Sequence, residues 1–315
     1  MMSDLYVIGV DGGGSGIRAV VVKFSPEGDW EVIGQAVGET ANPSLIGQKA
    51  SAELIRHVLA DAVEASGLEF AQIDSVALGV AGASKMLDWL QVVPKAVLPD
   101  ASVYACTDAE IALVGGRGTR EGLLILAGTG SVLFALDRQG KSHLSGGWGY
   151  LIGDEGSGFW LASTALRYLS EQVDGVGQAT LLKEAICTAL SVSDPRDLIP
   201  IIYDVEGEPP NKRLADLAPI ILACAQEGDP LALKIVHDGA EALAKRARVI
   251  LQKTGLSAES IAFSGGLLSF DNVLSLRLTE LLGLQTRPHP LFPPVIGAAI
   301  LARHWVLEGG DKFAH

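Results

Sequence analysis

The sequence predicts an α/β fold in two domains, each a mixed sheet with flanking helices, around a central cleft. Three observations carry that expectation: short β-branched strands broken by glycine turns, amphipathic helical stretches between them, and a restart of the pattern near mid-chain. Residues 7–22, VIGVDGGGSGIRAVVV, read as two strands around a glycine turn, and 28–37 as a third strand. Residues 48–66 place Leu54, Val58, Leu59, Ala62 and Val63 at helical spacing. Strands at 75–80 and 102–107 flank a helix expected from Leu87 to Val97. The order βββαβαβ requires a mixed sheet.

Residues 121–137, EGLLILAGTGSVLFALD, start again as strand, glycine turn, strand. A glycine-rich stretch over 145–158 follows, then helical patterns from about Phe159 to Lys253. SIAFSGGLLS (260–269) is a strand running into paired glycines, followed by a helical pattern from Asn272 to Leu284. The repeated opening suggests a duplication. The expected boundary lies near Arg117 to Glu121, giving domains over 1–118 and 119–294. The closing segment, 295–315, is expected to return to the first domain, because Gly297, Ala298 and Ala299 suit close packing.

Composition narrows the function. Of 315 residues, 48% are hydrophobic, which suits a packed core and excludes a disordered chain. Lys and Arg total 24 against 37 Asp and Glu, a net charge of −13 that disfavours non-specific nucleic-acid binding. Cys106, Cys187 and Cys224 are far apart and form no CxxC, so reduced cytosolic thiols are expected rather than disulfides or a zinc ribbon. No apolar run reaches the roughly 20 residues of a membrane span, and MMSDLYVIGVDGGG lacks the basic start of a signal peptide. The six histidines show no metal-ligand spacing.

Three glycine loops follow apolar strands: DGGGSG (11–16), AGTGS (127–131) and SGG (264–266). Backbone N–H groups without side chains let phosphate oxygens approach, and strand ends are where α/β proteins bind ligands. Gly14, Gly16 and Ala19 satisfy a GxGxxA dinucleotide pattern, but a strand follows where that motif needs a helix. ALDRQGKS (135–142) resembles a Walker A loop, yet HLSGGWGYLIG after it cannot be the required helix. Asp11, at the tip of the first strand, either holds Mg²⁺ beside phosphates or starts a turn.

The motifs VDGGGSG, CTDAEIAL, AGTGS, GGWGYLIGDEGSG, SGG and PPVIGAAILA resemble, in order, those of the N-acetylglucosamine kinase group. That group lies within the BadF/BadG/BcrA/BcrD-type ATPase family, of the actin/hexokinase/Hsp70-like superfamily. The resemblance runs from Gly9 to about Ala302 and implies two actin-like (ribonuclease H-like) domains. It implies that Asp11 is the magnesium-associated carboxylate, with Gly12, Gly13, Gly14 and Ser15 around the phosphates. Gly128, Thr129 and Gly130 would form the second phosphate loop, and Gly265 and Gly266 would lie by the adenosine. Asp108 matches the catalytic base. Asn42, Asp108, Gly147, Trp148 and Asp154 match sugar-binding positions. Nothing carries over to GVAGAS (79–84), which varies in the family.

Phosphoryl transfer to a sugar hydroxyl needs amides and metal on the phosphates and a carboxylate near the attacking oxygen. Asp108 could supply that carboxylate or could merely cap the helix starting at AEIALV. Trp148, between glycines, is a core anchor or a platform for a sugar ring. Asp154 and Glu155 could both be acids stabilising the dipole of the next helix, with Asp154 the better functional candidate. The expected reaction is transfer of the γ-phosphate of ATP to the 6-hydroxyl of N-acetylglucosamine, with ATP and Mg²⁺ as cofactors. Glucosamine is the alternative acceptor. An iron–sulfur ATPase activator is disfavoured, because the three cysteines match no cluster spacing. The expected partners are ATP and an amino sugar, in a cytoplasmic homodimer with no nucleic acid or membrane.

Overall fold

The computed structural model describes residues 3–14, 16–203 and 210–309. Ser15 therefore lies outside the described residues. The chain forms two compact units. One comprises the chain up to Gly122, Arg138–Lys141 and the chain from Pro290; the other comprises Leu123–Asp137 and Ser142–His289.

The first unit contains β1 (Leu5–Gly12), β2 (Ile17–Phe24), β3 (Trp30–Gly38), α1 (Pro43–Ile46), α2 (Gln48–Ser66), β4 (Ser75–Val80), α3 (Leu87–Val92), β5 (Ser102–Cys106) and α4 (Asp108–Arg117). Its sheet has the order β3-β2-β1-β4-β5. β1 and β2 pair antiparallel from Leu5↔Phe24 to Gly12↔Ile17, while β1–β4 and β4–β5 are parallel. α3 is shorter than the expected helix through Val97, because Pro94 lacks an N–H and opens a separate 3₁₀ turn over Pro94–Ala96.

The second unit contains β6 (Gly122–Ala127), β7 (Ser131–Leu136), β8 (Ser142–Gly146), α5 (Gly158–Val173), α6 (Leu181–Ala189), α7 (Leu198–Tyr203), α8 (Pro210–Ala215), α9 (Ala218–Gln226), α10 (Pro230–Thr254), β9 (Ile261–Ser264) and α11 (Val273–Leu281). The last helix, α12 (Pro294–Leu307), belongs to the first unit. The second sheet runs β8-β7-β6-β9, repeating the first four positions of the first sheet. β7–β8 is antiparallel and β6–β9 parallel, so this sheet is mixed as well. β8 went unrecognised in the sequence because SHLSG has no buried face: Leu144 is exposed and only backbone pairing makes the segment a strand.

Period-two alternation builds a core on each face of the first sheet. Ile8, Val10, Ile17, Ala19 and Leu78 bury with Ile55, Leu59 and Val63 of α2. Val7, Val20, Val22 and Ala77 bury on the opposite face with Ile111 and Val114 of α4 and with Val295, Ala298 and Ala299 of α12. In the second unit, Leu123, Ile125 and Leu133 pack with Leu161 and Ala165 of α5 and Leu243 and Ala244 of α10. No helix among the described residues is long and apolar enough to cross a membrane.

The seat of α12 depends on absent side chains. A Cβ at Gly9 would stand 2.2 Å from the Val295 carbonyl oxygen, and one at Gly297 would stand 2.1 Å from that of Ile111. Both obstacles are backbone, so they cannot swing away. Gly297→Ala should therefore lower stability by about 3 kcal/mol, the cost of overpacking a rigid contact. A urea melt with an unshifted midpoint would contradict this.

Candidate active site

β1, β4 and β5 are parallel, so their carboxyl ends share one edge of the first sheet. Asp11 and Gly12 end β1, Val80 ends β4, and Asp108 opens α4 directly after β5. Both aspartates are half-buried. Burial raises the Asp11 carboxyl above its ordinary value; the charge of Asp108 raises it further, and that of Arg18 opposes the rise. Burial also raises Asp108, against hydrogen bonds from the backbone at the start of α4.

The capping role expected as the alternative for Asp108 falls to its neighbour. Thr107 is the N-cap, its hydroxyl accepting the Glu110 N–H at 3.2 Å, and Asp108 is the first helical residue. Its carboxylate is thus not needed to cap α4. Arg18, missed in the sequence, stands directly across from Asp11 in the β1–β2 ladder and is exposed. The only signal for it was alternation along β2, which says which face a residue takes but not which partner it meets.

The first glycine loop closes with the Gly13 N–H donating to the Gly16 carbonyl at 2.9 Å, and no atom stands within 4 Å of where a Gly14 side chain would begin. Asn42 lies beyond β3 and caps α1, its Oδ1 accepting the Ser44 N–H at 2.9 Å. Gly82, in the stretch from which nothing carried over, packs on Asn42: its Cβ would sit 2.1 Å from Asn42 Oδ1. Ser44 Oγ donates to the Gly82 carbonyl at 3.1 Å.

The second unit gathers the other glycine loops. Gly128 N–H donates to the Gly130 carbonyl at 2.9 Å, and the free N–H groups at the start of α5 occupy the loop's carbonyls: Gly158 to Gly128 at 2.8 Å, Phe159 to Thr129 at 3.3 Å. Such N-terminal N–H groups have no partner within their helix. Gly265 adopts φ +87 and lies against Ala127, where a Cβ would come 2.3 Å from the carbonyl oxygen. That contact sets Gly266 beside Gly128. Ala215 of α8 also touches this loop, standing 3.1 Å from a Cβ built at Gly158.

Gly146, Gly147 and Gly149 all have positive φ and form the loop that carries Trp148. Trp148 is 69% exposed, so it is no core anchor. Asp154 departs from the helix-dipole reading. The cap of α5 is Ser157, which accepts the Trp160 N–H, and Asp154 lies three residues before it. Its side chain is buried, with φ +60, and accepts the backbone N–H groups of Ser131 and Gly149. Its Oδ2 stands 2.7 Å from where a Gly130 Cβ would be. Asp154 thus ties the second phosphate-type loop to the Trp148 loop. Glu155 is structural: it pairs with Arg246 of α10 at 2.7 Å. His143 is satisfied by Asp137 at 2.8 Å, and no group of three His, Cys, Asp or Glu among the described residues could hold a metal by itself.

Two α/β units of like strand order, with glycine loops at strand ends and a helix opening on a carboxylate after β5, define an actin-like fold. Residues 8–302 match the model of the BadF/BadG/BcrA/BcrD ATPase family, and the chain belongs to that family. Among curated relatives, an N-acetylmuramic acid/N-acetylglucosamine kinase of Clostridium acetobutylicum is 26% identical, covering 95% of this chain and 98% of that protein. An N-acetyl-D-glucosamine kinase of Dictyostelium discoideum is 29% identical, covering 96% and 98%. A crystal structure from Chromobacterium violaceum has a TM-score of 0.72 at 26% identity, covering 95% of this chain and 99% of that one.

Asp154→Ala should destabilise the second unit by about 2 kcal/mol, since two N–H groups lose their acceptor and alanine resists φ +60. Asp154→Asn should cost less than half of that, because asparagine tolerates this backbone and keeps one acceptor oxygen. Equal losses in a thermal melt would count against the tie.

Proposed function

We propose that this chain transfers the γ-phosphate of ATP to the 6-hydroxyl of N-acetylglucosamine. The observation that carries this reading is Asp108: a half-buried carboxylate at the strand-end edge shared with the first glycine loop, with Thr107 rather than Asp108 as the N-cap of α4. Its raised proton affinity suits a group that must take a proton during the reaction. The two relatives matched over nearly their whole lengths, whose names share N-acetylglucosamine while the first also names N-acetylmuramic acid, support the choice of sugar.

Each residue then has a task. Asp108 Oδ accepts the proton of the sugar hydroxyl as its oxygen bonds to the γ-phosphorus and the bond from that phosphorus to the β,γ-bridging oxygen breaks, releasing ADP. Backbone N–H groups in the two glycine loops, at Gly14 and at Thr129 and Gly130, donate to phosphate oxygens, while the Gly13 and Gly128 N–H groups close the loops themselves. Arg18 places positive charge at the first of these loops. Gly265 and Gly266 leave room for the adenosine. Asn42, Gly147, Trp148 and Asp154 are assigned to the sugar, Trp148 offering an apolar face to its ring and Asp154 also tying the Trp148 loop to the second glycine loop. Asp11 fits Mg²⁺: burial and Asp108 both oppose its charge, and a divalent cation would relieve both. When bound, the ion supplies charge neutralisation to the phosphates.

An ADP-release assay with Mg²⁺ and ATP tests the reading against N-acetylglucosamine, glucosamine, N-acetylmannosamine and glucose. Highest kcat/KM with N-acetylglucosamine is expected; turnover with none of the four would defeat it.

Asp108→Asn should lower kcat by about 10²-fold or more, roughly 3 kcal/mol of transition-state stabilisation, with sugar KM little changed. The same substitution should not lower the melting temperature at pH 7. A carboxyl whose folded value is raised is favoured in its protonated form, so its charged form weakens the fold above that value. The variant's stability relative to wild type should therefore fall away as the pH drops towards the ordinary aspartate value near 4, where wild-type Asp108 is protonated too. For the same reason kcat/KM of the wild type should show an acid limb above pH ~4. Retained turnover in Asp108→Asn would remove it as the base.

Asp11→Ala should raise the Mg²⁺ concentration needed for half-maximal rate by about tenfold, a coupling of ~1.4 kcal/mol, while sugar affinity measured by calorimetry stays within twofold. Lost sugar affinity with ordinary Mg²⁺ dependence would reverse its assignment.

A further inference from the structure

In the first unit the loop after β1, the loop after β3 and the loop after β4 are joined by a closed ring of hydrogen bonds. The Ala81 N–H donates to the Gly12 carbonyl at 2.8 Å, which ties the β4 loop to the first glycine loop. Ser44 Oγ donates to the Gly82 carbonyl at 3.1 Å, and the Ser44 N–H donates to Asn42 Oδ1 at 2.9 Å, which ties the β4 loop to the Asn42 loop. One side chain closes the ring. Thr40 Oγ1 accepts the Asn42 N–H at 3.3 Å and donates its own proton to the Gly13 carbonyl at 3.1 Å.

Thr40 is half-buried and touches neither of the groups to which substrate binding is assigned except through their backbones. Its hydroxyl serves as donor on one side and acceptor on the other, and a bond on either side polarises the other. The loop that carries it has little slack. Ser51 of α2, fully buried, donates to the Ala41 carbonyl at 2.5 Å, between Thr40 and Asn42. A displacement of Gly13 is thus passed to the Asn42 amide rather than absorbed in the intervening backbone. Rigid, hydrogen-bonded connections of this kind are how occupancy of one site alters affinity at another.

We infer that Thr40 is a positioning residue that couples sugar binding at Asn42 to nucleotide binding at the first glycine loop, so that each ligand tightens the other. This rests on the reading of the two loops given under Proposed function. The coupling lies inside the first unit, and the shorter of the ring's two arms, from Gly13 to Asn42, depends on a single hydroxyl. Threonine could be replaced by serine without loss of either bond, whereas valine, of nearly the same shape, can make neither.

The test is calorimetry on the full chain with N-acetylglucosamine and the non-hydrolysable β,γ-imido analogue of ATP, with Mg²⁺ present. In the wild type, saturating analogue should tighten the sugar by about fivefold or more, the lower end of ordinary coupling between sites. Thr40→Val should reduce that ratio to below about twofold, with each ligand's affinity alone changed by less than about threefold; Thr40→Ser should keep the wild-type ratio. If Thr40→Val does not fold, Thr40→Ala supplies the same loss of both bonds with no added bulk. The inference is overturned if the valine or alanine variant keeps the wild-type ratio, if the wild type shows no coupling, or if the variants weaken each ligand alone with the ratio intact. A wild type that binds and phosphorylates the sugar yet keeps its coupling without Thr40 defeats this inference alone. A wild type with no affinity for the sugar defeats the proposed function and this inference with it.

Discussion

Asp11 and Asp108 lie at one edge of a five-stranded sheet, where burial works against the charge of both and Asp108 further opposes that of Asp11. Much of the first unit is arranged so that this unfavourable pair persists. β1 and β5 are held in register through β4, whose six residues are all buried, so neither strand end can drift to relieve the repulsion. Thr107 is the N-cap of α4, and the Asp108 carboxylate accepts backbone N–H groups at the start of the helix, which offset part of the cost of its burial. Arg18 partly balances Asp11 from across the hairpin. Carboxylates with raised proton affinity are characteristic of sites that handle protons or cations, and the cost of holding them is met by the packing beneath.

That packing is unusually close where it matters. α12, from the far end of the chain, lies directly on the backbone of β1 at Gly9, two residues before Asp11. Its other neighbour is α4, whose first residue is Asp108, and there the contact is Gly297 against the Ile111 carbonyl and Gly115. One helix thus braces both elements that carry the carboxylates. Contacts between backbones have few soft degrees of freedom, so the brace transmits position rather than yielding to it.

The two units solve a similar problem with different chemistry. Each must hold a glycine loop near a second loop, and glycine-rich backbone does not hold itself. In the first unit a neutral hydroxyl, Thr40, bridges Gly13 and Asn42. In the second a buried carboxylate, Asp154, gathers the amides of Ser131 and Gly149. A charged acceptor of two N–H groups makes the stronger tie. It is placed beside the loop with three positive-φ glycines, which has the most conformational freedom to lose.

Strands, hairpins and most helices were legible in the sequence, because periodicity and turn chemistry are local: VIGV and IRAVVV around glycines can form little else, and the restart at 121–137 announced the second sheet. The positions of Asp11 and Asp108 at strand ends followed from the same local rules. What the tertiary structure decided is which partner each side chain meets. That Arg18 faces Asp11, that Gly82 presses on Asn42 and that Asp154 serves two loops depend on strand register and on contacts between segments up to dozens of residues apart. β8 is the limiting case, a strand with no fully buried residue, paired along its length with the backbone of β7. A sequence records the preference of each residue for its own conformation; the identity of its neighbour is a property of the assembled sheet.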